Sequence, residues 1–477
     1  MHATSNVGVA ADVESKGNAK GRAREVTTMR GTLLLMGIFA LGFVEGCAQS
    51  RPLAELPAAR PLGGDIPTFA PSRSPEDPRP AKIEPRGDLS LTKSLALALL
   101  HNPQLEAYGW QLRGSEAAIL QSRLRPNPVV GLKVENFGGT APLDSLEGSM
   151  TTLRISQAIE LGGKRMRRTR LAEKEHLRSA WDYERERLRV IGEVGRRFVH
   201  VLADQEELKL ARQAAKLATD LYDIVKDRTD QGVSAGVELD KALVQVSVRR
   251  IEVEQQVQQL RASKQRLAAT WGSGSVRFGD CVGEWTEVHD LPAQEELLAQ
   301  VEENPDIARW SAEIALREAA VDLSRARAIP NLTIGGGLRR FNATDEKAYV
   351  FELGLPLPLA DRNQGRRRQA RYELEKAKAL KRDAETAVHS RLGELYYGLS
   401  AHHHAVTTLR NQTLPAARSA FDTARKAYRE GVTDYINVLD AERTLIDTQY
   451  QHVASLSEYH QTIIALESLL GVSLDPE

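Results

Sequence analysis

The sequence predicts a mainly α-helical protein with four short β-strands and an internal twofold repeat. Three observations predict this fold class. Several short motifs recur in the same order about 200 residues apart. Two long stretches, free of proline or nearly so, carry apolar residues at helical spacing. Four short runs alternate between apolar and polar residues, as amphipathic strands do.

The repeat rests on five motif pairs in register. Their members are Asn102-Pro103 and Asn304-Pro305, Pro126-Asn127 and Pro330-Asn331, Gly162-Gly163-Lys164-Arg165 and Asn363-Gln364-Gly365-Arg366, Gly232-Val233-Ser234 and Gly431-Val432-Thr433, and Asp240 and Asp440. The pairs predict a first repeat over 89–275, an irregular connector over 276–292, a second repeat over 293–472 and a short tail over 473–477.

Each repeat is predicted to contain a first helix, two strands, a long helix and a returning helix. The predicted helices span 91–123, 164–230 and 237–270, and then 293–328, 366–429 with a break at Pro415, and 434–470. At a rise of 1.5 Å per residue, a helix of roughly 65 residues is about 100 Å long. Such lengths are typical of coiled-coil tubes rather than of globular domains.

The four alternating runs are predicted to be strands at 129–137, 150–159, 332–341 and 348–356. Their length matches the roughly 9–11 residues of a tilted transmembrane strand. Alternation alone also fits a half-buried strand of a soluble sheet. Four strands cannot close a barrel, and open strand edges are not tolerated in lipid. If the strands lie in a membrane, several copies of the chain must each contribute four.

The N-terminal region has the pattern of an export signal. Basic residues precede a short apolar run at 33–44, which is too short to span a bilayer. Residues 1–46 are therefore predicted to be a signal peptide with a possible N-terminal extension, since Met29 is an alternative start. Gly46-Cys47 resembles a lipoprotein cleavage site, which makes Cys47 the predicted lipidation site. The alternative is an ordinary signal peptide that contains a cysteine. Residues 47–88 are proline-rich and predicted to be a lipid-anchored linker.

Composition excludes several classes of function. Lys and Arg together number 64, as do Asp and Glu, so the chain lacks the basic surplus of a nucleic-acid-binding protein. The sequence contains no nucleophile elbow, zinc-protease motif or phosphate-binding loop, and we expect no cofactor, no resident metal and no enzyme activity. Consecutive histidines at His402, His403 and His404 point about 100° apart on a helix, so a solvated helix face is favoured over a metal site. Cys281 is predicted to be a buried small residue.

These motifs together resemble the outer membrane efflux protein family, the TolC-like outer membrane factors. The resemblance covers nearly all of 89–472 and is carried by the Asn-Pro pairs, by 156–165 and by 431–441. The segment 355–365 is most similar to the heavy-metal branch, which serves cobalt–zinc–cadmium or copper–silver efflux. The resemblance implies a homotrimer with a twelve-stranded barrel in the outer membrane of a Gram-negative bacterium and a helical α-barrel in the periplasm. A periplasmic adaptor and a proton-driven inner-membrane pump of the RND type are the implied partners.

The resemblance also implies roles for individual residues. Asp440 and Asn437 match the acidic positions of the periplasmic gate, with one carboxylate fewer in this chain. Closely spaced carboxylates in a pore attract cations and raise one another's pKa. The alternative for Asp440 is a helix-start carboxylate that the helix dipole stabilises.

Two groups of residues are assigned to turns and junctions. Gly232, Gly236, Gly431 and Thr433 are predicted at the hairpin tips, where the family contacts the adaptor, although a turn without a partner contact also explains them. Gly162, Gly163, Asp361 and Gly365 are predicted at the junction of barrel and tunnel.

The sequence leaves three interpretations of the function open. A passive efflux duct for heavy-metal cations is favoured, a duct of the same architecture for drugs and other organic solutes is the first alternative, and a lipid-anchored coiled-coil protein without a pore is the second.

Overall fold

Helices dominate the computed structural model, which describes residues 56, 58–72, 74, 76–77, 83–141, 143–301 and 304–474. The chain divides into two units, Met1–Leu53 and Ala54–Glu477, and every described residue belongs to the second. The predicted signal peptide and Cys47 lie outside the described residues.

The described residues form nine α-helices, one short π-helix and six strands. The α-helices are α1 (Leu91–His101), α2 (Pro103–Arg123), α3 (Lys164–Asp230), α4 (Gly236–Ala269), α5 (Gln294–Val301), α6 (Pro305–Ala326), α7 (Gln364–Thr408), α8 (Leu414–Arg429) and α9 (Tyr435–Leu470). The strands are β1 (Gly87–Leu89), β2 (Val129–Glu135), β3 (Met150–Ile159), β4 (Phe278–Cys281), β5 (Leu332–Phe341) and β6 (Glu346–Gly354). The π-helix, Leu409–Thr413, joins α7 to α8 just before Pro415. The order helix, helix, strand, strand, long helix, returning helix therefore occurs twice.

The first predicted helix of each repeat is in fact two helices. Asn102 caps α2 and Asn304 caps α6, each with its side-chain oxygen accepting two backbone N–H groups, and a proline follows each as the first helical residue. A proline disfavours helical geometry in the residue before it, and asparagine is a preferred capping residue. Each capping side chain also donates to the end of its own repeat, Asn102 to the Thr270 carbonyl at 2.8 Å and Asn304 to the Leu469 carbonyl.

The four predicted strands form one antiparallel sheet in the order β2-β3-β5-β6. β2 ends at Glu135, two residues earlier than predicted, because Asn136 takes a left-handed conformation with φ 61°. β6 lies two residues earlier than predicted and ends at Gly354. Pro356, which follows shortly after, lacks the N–H that strand pairing needs.

The predicted irregular connector contains a strand that the sequence did not reveal. β4 pairs in parallel with β1, which places Leu89 beside Cys281. Both residues are buried in a core cluster that also contains Trp271. Strands of three or four residues are too short to show a period, so only the tertiary pairing identifies them.

Part of the predicted linker is bound to the helices. Residues 58–72, which we call the strap, contact α1, α2, α3 and the end of α9. The amide of Arg60 donates to Glu184 at 2.7 Å, and the amide of Leu62 donates to the Gly471 carbonyl at 3.0 Å. The strap therefore connects the first repeat to the end of the second.

The long helices separate the sheet from the hairpin turns. α3 and α7 both begin shortly after a strand of the sheet, and α3 runs for 67 residues, or about 100 Å, before its turn. The two turns lie together, because Arg228 at the end of α3 donates to the Tyr428 carbonyl at the end of α8 at 2.9 Å. The sheet and the paired turns are thus at opposite ends of the helices.

Candidate functional site

The central part of one face of the four-stranded sheet is made of apolar side chains. Two rows of aligned residues on this face are Val130, Ile155, Gly336 and Phe351, and Leu132, Leu153, Leu338 and Tyr349. Phe351 is 74% exposed and Leu132 is 69% exposed in the single chain. A contiguous apolar surface of this kind marks a face that contacts lipid or another molecule.

The opposite face of the sheet is charged. Lys133 pairs with Glu135 at 2.5 Å, and Arg339 lies 3.7 Å from the same carboxylate. Arg154 on β3 pairs with Glu352 on β6 at 2.5 Å, across the intervening strand β5. One face of the sheet thus suits hydrocarbon and the other suits water.

The two outer strands of the sheet each have one neighbour. Among the described residues, β2 pairs only with β3, and β6 pairs only with β5. Their outer edges therefore carry backbone donors and acceptors that no strand of the described chain pairs. Such edges are templates for pairing with a further strand.

The junction between strand and long helix is built alike in both repeats. Gly163 caps α3 with φ 67°, and Asn363 caps α7 with φ 58°. Asp361 accepts a hydrogen bond from the Asn363 amide at 2.8 Å, and the Asn363 side chain donates to the Ser324 carbonyl at 2.7 Å. Gly162 has φ 70°, and a Cβ there would lie 2.6 Å from the Ile329 side chain.

Gly365 lies at the same junction but is not the residue that caps α7. It is the second residue of α7, and a Cβ at this position would meet nothing within 4 Å. Gly163 corresponds to Asn363 in the structure, so the repeats align one residue away from the predicted motif pairing. Asparagine is among the few residues besides glycine that tolerate a left-handed conformation. An asparagine at this position is therefore the signal in the sequence for a left-handed helix cap.

The predicted tip residues lie at the two hairpin turns. Gly232 and Gly431 both have φ 76°, a conformation that side-chain-bearing residues rarely adopt. Gly236 is the first residue of α4 and has no close neighbour. Thr433 accepts a hydrogen bond from the Asn437 side chain at 2.8 Å.

A cluster that sequence analysis missed connects the two hairpins near these turns. The Arg228 guanidinium lies over the Tyr428 ring, 4.7 Å from its centroid, and donates to Ser234 at 3.2 Å. Burial raises the pKa of Tyr428, so its hydroxyl keeps its proton and donates to Glu238 at 3.1 Å. These residues are far apart in sequence, and no local pattern predicts their meeting.

The predicted gate residues are exposed in the single chain. Asp440 and Asn437 lie on α9 about one turn apart. Asp440 is in the second turn of the helix, whereas Asp434 occupies the cap position. The helix dipole acts mainly within the first turn, so the dipole is a weak explanation for Asp440.

A second acidic residue of α9, Glu442, lies inside the helix assembly. It is 2% exposed, and its Oε1 lies 3.8 Å from Nε of Arg249 on α4 without a hydrogen-bond partner in the described structure. Burial raises the pKa of Glu442 to about 7, although Arg249 opposes the shift. Arg249 also pairs with Glu252 at 2.9 Å. Sequence analysis did not single out this pair.

Cys281 and the three consecutive histidines are the remaining candidates from the sequence. Cys281 is a free, buried thiol, as predicted, and burial raises its pKa to about 12. His404 is exposed, while His402 and His403 are half-buried. Within the described ranges, no cluster of His, Cys, Asp and Glu could hold a metal ion, and no helix is long and apolar enough to cross a membrane.

Comparison with known proteins identifies the family. A family model described as outer membrane efflux protein matches residues 95–273 and 299–472, once in each repeat. The chain belongs to the outer membrane efflux protein family. The predicted resemblance and the predicted role as an outer membrane efflux channel are confirmed, and the family consists of channels rather than enzymes.

Relatives in the family include metal-resistance and pyoverdine-export proteins. The cobalt-zinc-cadmium resistance protein CzcC of Cupriavidus metallidurans is 30% identical over 409 residues, which cover 85% of this chain and 96% of CzcC. The nickel and cobalt resistance protein CnrC of the same species is 24% identical, over 57% of this chain and 63% of CnrC. The pyoverdine export outer membrane protein OpmQ of Pseudomonas putida is 27% identical, over 61% of this chain and 64% of OpmQ.

Solved structures share the fold of the chain. A crystal structure of CusC has a TM-score of 0.69 and 16% identity, over 89% of this chain and 100% of that chain. The outer membrane protein VceC of Vibrio cholerae has a TM-score of 0.67 and 17% identity, over 81% of this chain and 97% of that chain. At these identities, the comparisons support the fold alone.

Proposed function

We propose that three copies of this chain form one outer-membrane channel that conducts heavy-metal cations out of the periplasm. The observation that carries the proposal is the sheet, with its apolar face, its charged face and its two unpaired edges. Pairing β2 of one copy with β6 of the next satisfies the backbone groups at both edges. Three copies supply a closed barrel of twelve strands, within the range that membrane barrels adopt.

The two faces of the sheet define the sides of this barrel. The face with Leu132, Leu153 and Phe351 contacts the lipid. The face with Arg154, Glu352 and Lys133 lines a water-filled lumen. A charged lumen suits the passage of hydrated ions, and a passive duct needs no bound cofactor.

The helices continue the channel into the periplasm, where the partners bind. The tips at Gly232, Gly236, Gly431 and Thr433 are the proposed contacts for a periplasmic adaptor, which connects the channel to an inner-membrane pump of the RND type. The exposed apolar residues at these turns, Val233 and Val432, support this role, since exposed apolar groups at a turn favour a protein partner.

Cys47 is the proposed lipid attachment point, and the strap is compatible with that anchor. Arg60 contacts Glu184, which lies 20 residues, or about 30 Å, along α3 from its start beside the sheet. The 13 residues from Cys47 to Arg60 span at most about 45 Å when extended. The chain is thus long enough for an acyl group on Cys47 to reach the membrane boundary.

The metal assignment rests on the resistance proteins among the relatives. CzcC is 30% identical over 409 residues, whereas the pyoverdine export protein OpmQ of Pseudomonas putida is 27% identical over 309 residues. An organic-solute duct is the alternative within the same architecture.

A planar-bilayer recording tests whether the chain forms a pore. The purified, correctly folded oligomer is expected to give discrete conductance steps. A trimer that inserts without conducting ions contradicts the duct and favours the structural coiled-coil protein.

Deletion of the gene tests the substrate class. The deletion strain is expected to tolerate several-fold less Zn²⁺, Co²⁺, Cd²⁺ or Cu⁺ than its parent, and the wild-type gene is expected to restore tolerance. Unchanged metal tolerance with new sensitivity to organic toxins contradicts the metal assignment.

The Asp440 side chains of three copies are proposed to form an acidic ring at the gate, with Asn437 about one helical turn away. In a narrow trimeric pore, three carboxylates attract cations, so Asp440→Asn is expected to lower cation selectivity, measured as the reversal potential in a salt gradient. Asp240→Asn, at the matching position of the first repeat, is the control and is expected to leave selectivity unchanged. Equal shifts in both variants would remove Asp440 from the gate.

A further inference from the structure

Basic residues crowd the starts of α3 and α7. Residues 164–170 include five cations and no acid, and residues 361–371 include five cations and one acid. Neither helix has an acidic residue in its first turn. Because a helix start carries partial positive charge, cations there are unfavourable for the helix itself. Helix stability therefore does not explain this arrangement, which occurs in both repeats.

Only part of this positive charge is used inside the fold. Lys164 donates to Asn331 at 2.5 Å, and Arg168 pairs with Glu160 at 2.6 Å. Other arginines are exposed and have no carboxylate within ion-pair distance among the described residues. These are Arg165, Arg170, Arg362, Arg366, Arg368 and Arg371, which we call the basic belt.

An exposed apolar surface adjoins the basic belt. Leu355, Leu357 and Leu359 continue the alternation of Phe351 and Leu353 beyond the end of β6 and are 49%, 71% and 78% exposed. Met166, next to Arg165 at the start of α3, is also exposed. The apolar face of the sheet thus extends to the level at which the arginines begin.

We propose that the basic belt binds the phosphate groups of anionic phospholipids at the periplasmic surface of the outer membrane. The inference rests on the proposed function, because it requires the apolar face of the sheet to lie in the bilayer. Guanidinium groups bind phosphate through paired hydrogen bonds, and an anionic membrane surface attracts basic segments beside a membrane-spanning region. The leucines at 355–359 then contact acyl chains while the arginines reach the headgroups.

The neighbouring leucines favour a lipid over a soluble polyanion. If the belt bound a nucleic acid or an acidic protein, the exposed apolar residues beside it would have no part in the binding. A lipid contacts both groups at once, since its acyl chains and its phosphate lie at adjacent depths in the membrane.

The test measures lipid-dependent stability of the full-length oligomer in a neutral detergent. The melting temperature is followed while phosphatidylglycerol or phosphatidylcholine is added, at low and at high salt. The belt variant combines Arg165→Gln, Arg170→Gln, Arg366→Gln and Arg368→Gln. The control variant combines Arg212→Gln, Arg250→Gln, Arg418→Gln and Lys241→Gln, which remove exposed cations from the helices far from the sheet.

Three results are expected if the belt binds lipid phosphate. The melting temperature of the wild-type protein rises at a roughly tenfold lower concentration of phosphatidylglycerol than of phosphatidylcholine. High salt reduces this difference because ions screen exposed charges. The belt variant loses the difference, and the control variant keeps it. If the belt variant does not fold, the salt dependence of the wild-type response still decides, and a preference that is insensitive to salt overturns the inference.

Other outcomes identify a different role for the belt. An unchanged lipid preference with an altered reversal potential places the arginines in the conduit and overturns the inference. Equal stabilisation by inorganic phosphate alone also overturns it. A wild-type oligomer that conducts ions but shows no preference for phosphatidylglycerol removes only this inference, whereas an oligomer that does not conduct removes the proposed function.

Discussion

Glu442 is a carboxyl group that is almost completely buried between the helices, two residues after the proposed gate residue Asp440. Arg249 faces it from α4 but is turned toward Glu252, with which it makes the closer contact. Tyr435 lies near the same carboxyl group and is also buried. A buried charge without a close partner is costly, so the protonated form is favoured in the folded protein.

Glu442 makes stability depend on pH. Because burial raises its folded-state pKa from 4.5 to about 7, the folded state holds a proton that the unfolded state has lost between these values. The contribution of Glu442 to stability is therefore fully present below about pH 4.5 and is lost as the pH rises through about 7, by up to about 3 kcal/mol. Glu442→Gln is neutral at every pH and is expected to melt higher than wild type at pH 8 and close to wild type at pH 5.

Thermal melts of both proteins at several pH values check this expectation. Glu458→Gln, an exposed glutamate of the same helix, is the control and is expected to follow wild type throughout. A constant difference between Glu442→Gln and wild type across the pH range contradicts the assignment.

The glycines of β5 show how closely the strands of the sheet approach. A Cβ at Gly337 would lie 2.3 Å from the Leu153 carbonyl oxygen and 2.9 Å from the Arg154 Cα, both backbone atoms of β3. At the neighbouring Gly336, the nearest atom to a Cβ is the Val350 carbonyl oxygen at 3.8 Å. Both positions are glycine, but only Gly336 has room for a side chain.

Gly337→Ala is expected to disrupt the sheet, since β3 must move to admit the methyl group. Overpacking of this kind costs about 3 kcal/mol, and we expect loss of the proposed trimer, measured by size-exclusion chromatography. Gly336→Ala is the matched control and is expected to keep the oligomer. Equal oligomer yields from both variants would show that β5 and β3 are not paired in this register.

The strap connects elements that are distant in sequence, so its contacts affect the molecule as a whole. Arg187 is 3% exposed, pairs with Glu184 at 2.8 Å, and donates to the carbonyls of Arg60, Leu62 and Gly63. One buried side chain thus satisfies three backbone groups of a segment without regular structure.

Arg187→Leu is expected to destabilise the folded chain by about 3–5 kcal/mol, because it leaves Glu184 as a buried charge without its partner. Melting temperature and the rate of proteolytic cleavage within 58–72 are the measurements. Arg196→Leu removes an ion pair in which the arginine is 38% exposed and is expected to cost less than about 1 kcal/mol. Equal effects of the two substitutions contradict a structural role for the strap.

Much of the architecture could be predicted from the sequence because it is encoded locally. The alternation in β2, β3, β5 and β6 and the helical spacing in α3 follow from side-chain period, which any window of the chain displays. The Asn-Pro pairs mark the repeat in the sequence, but their role as helix breaks and caps is visible only in the structure. Recurrence of these signals also predicted the duplication and, through it, the family.

Tertiary structure alone decided which distant residues meet. Arg228 and Tyr428 are 200 residues apart, as are the two motif sets, yet nothing in either repeat indicates that a cation of one contacts an aromatic ring of the other. Glu442 and Arg249, β1 and β4, and the strap on Arg187 are contacts of the same kind. Side-chain period fixes the face on which a residue lies, but the packing of whole helices fixes what that face touches.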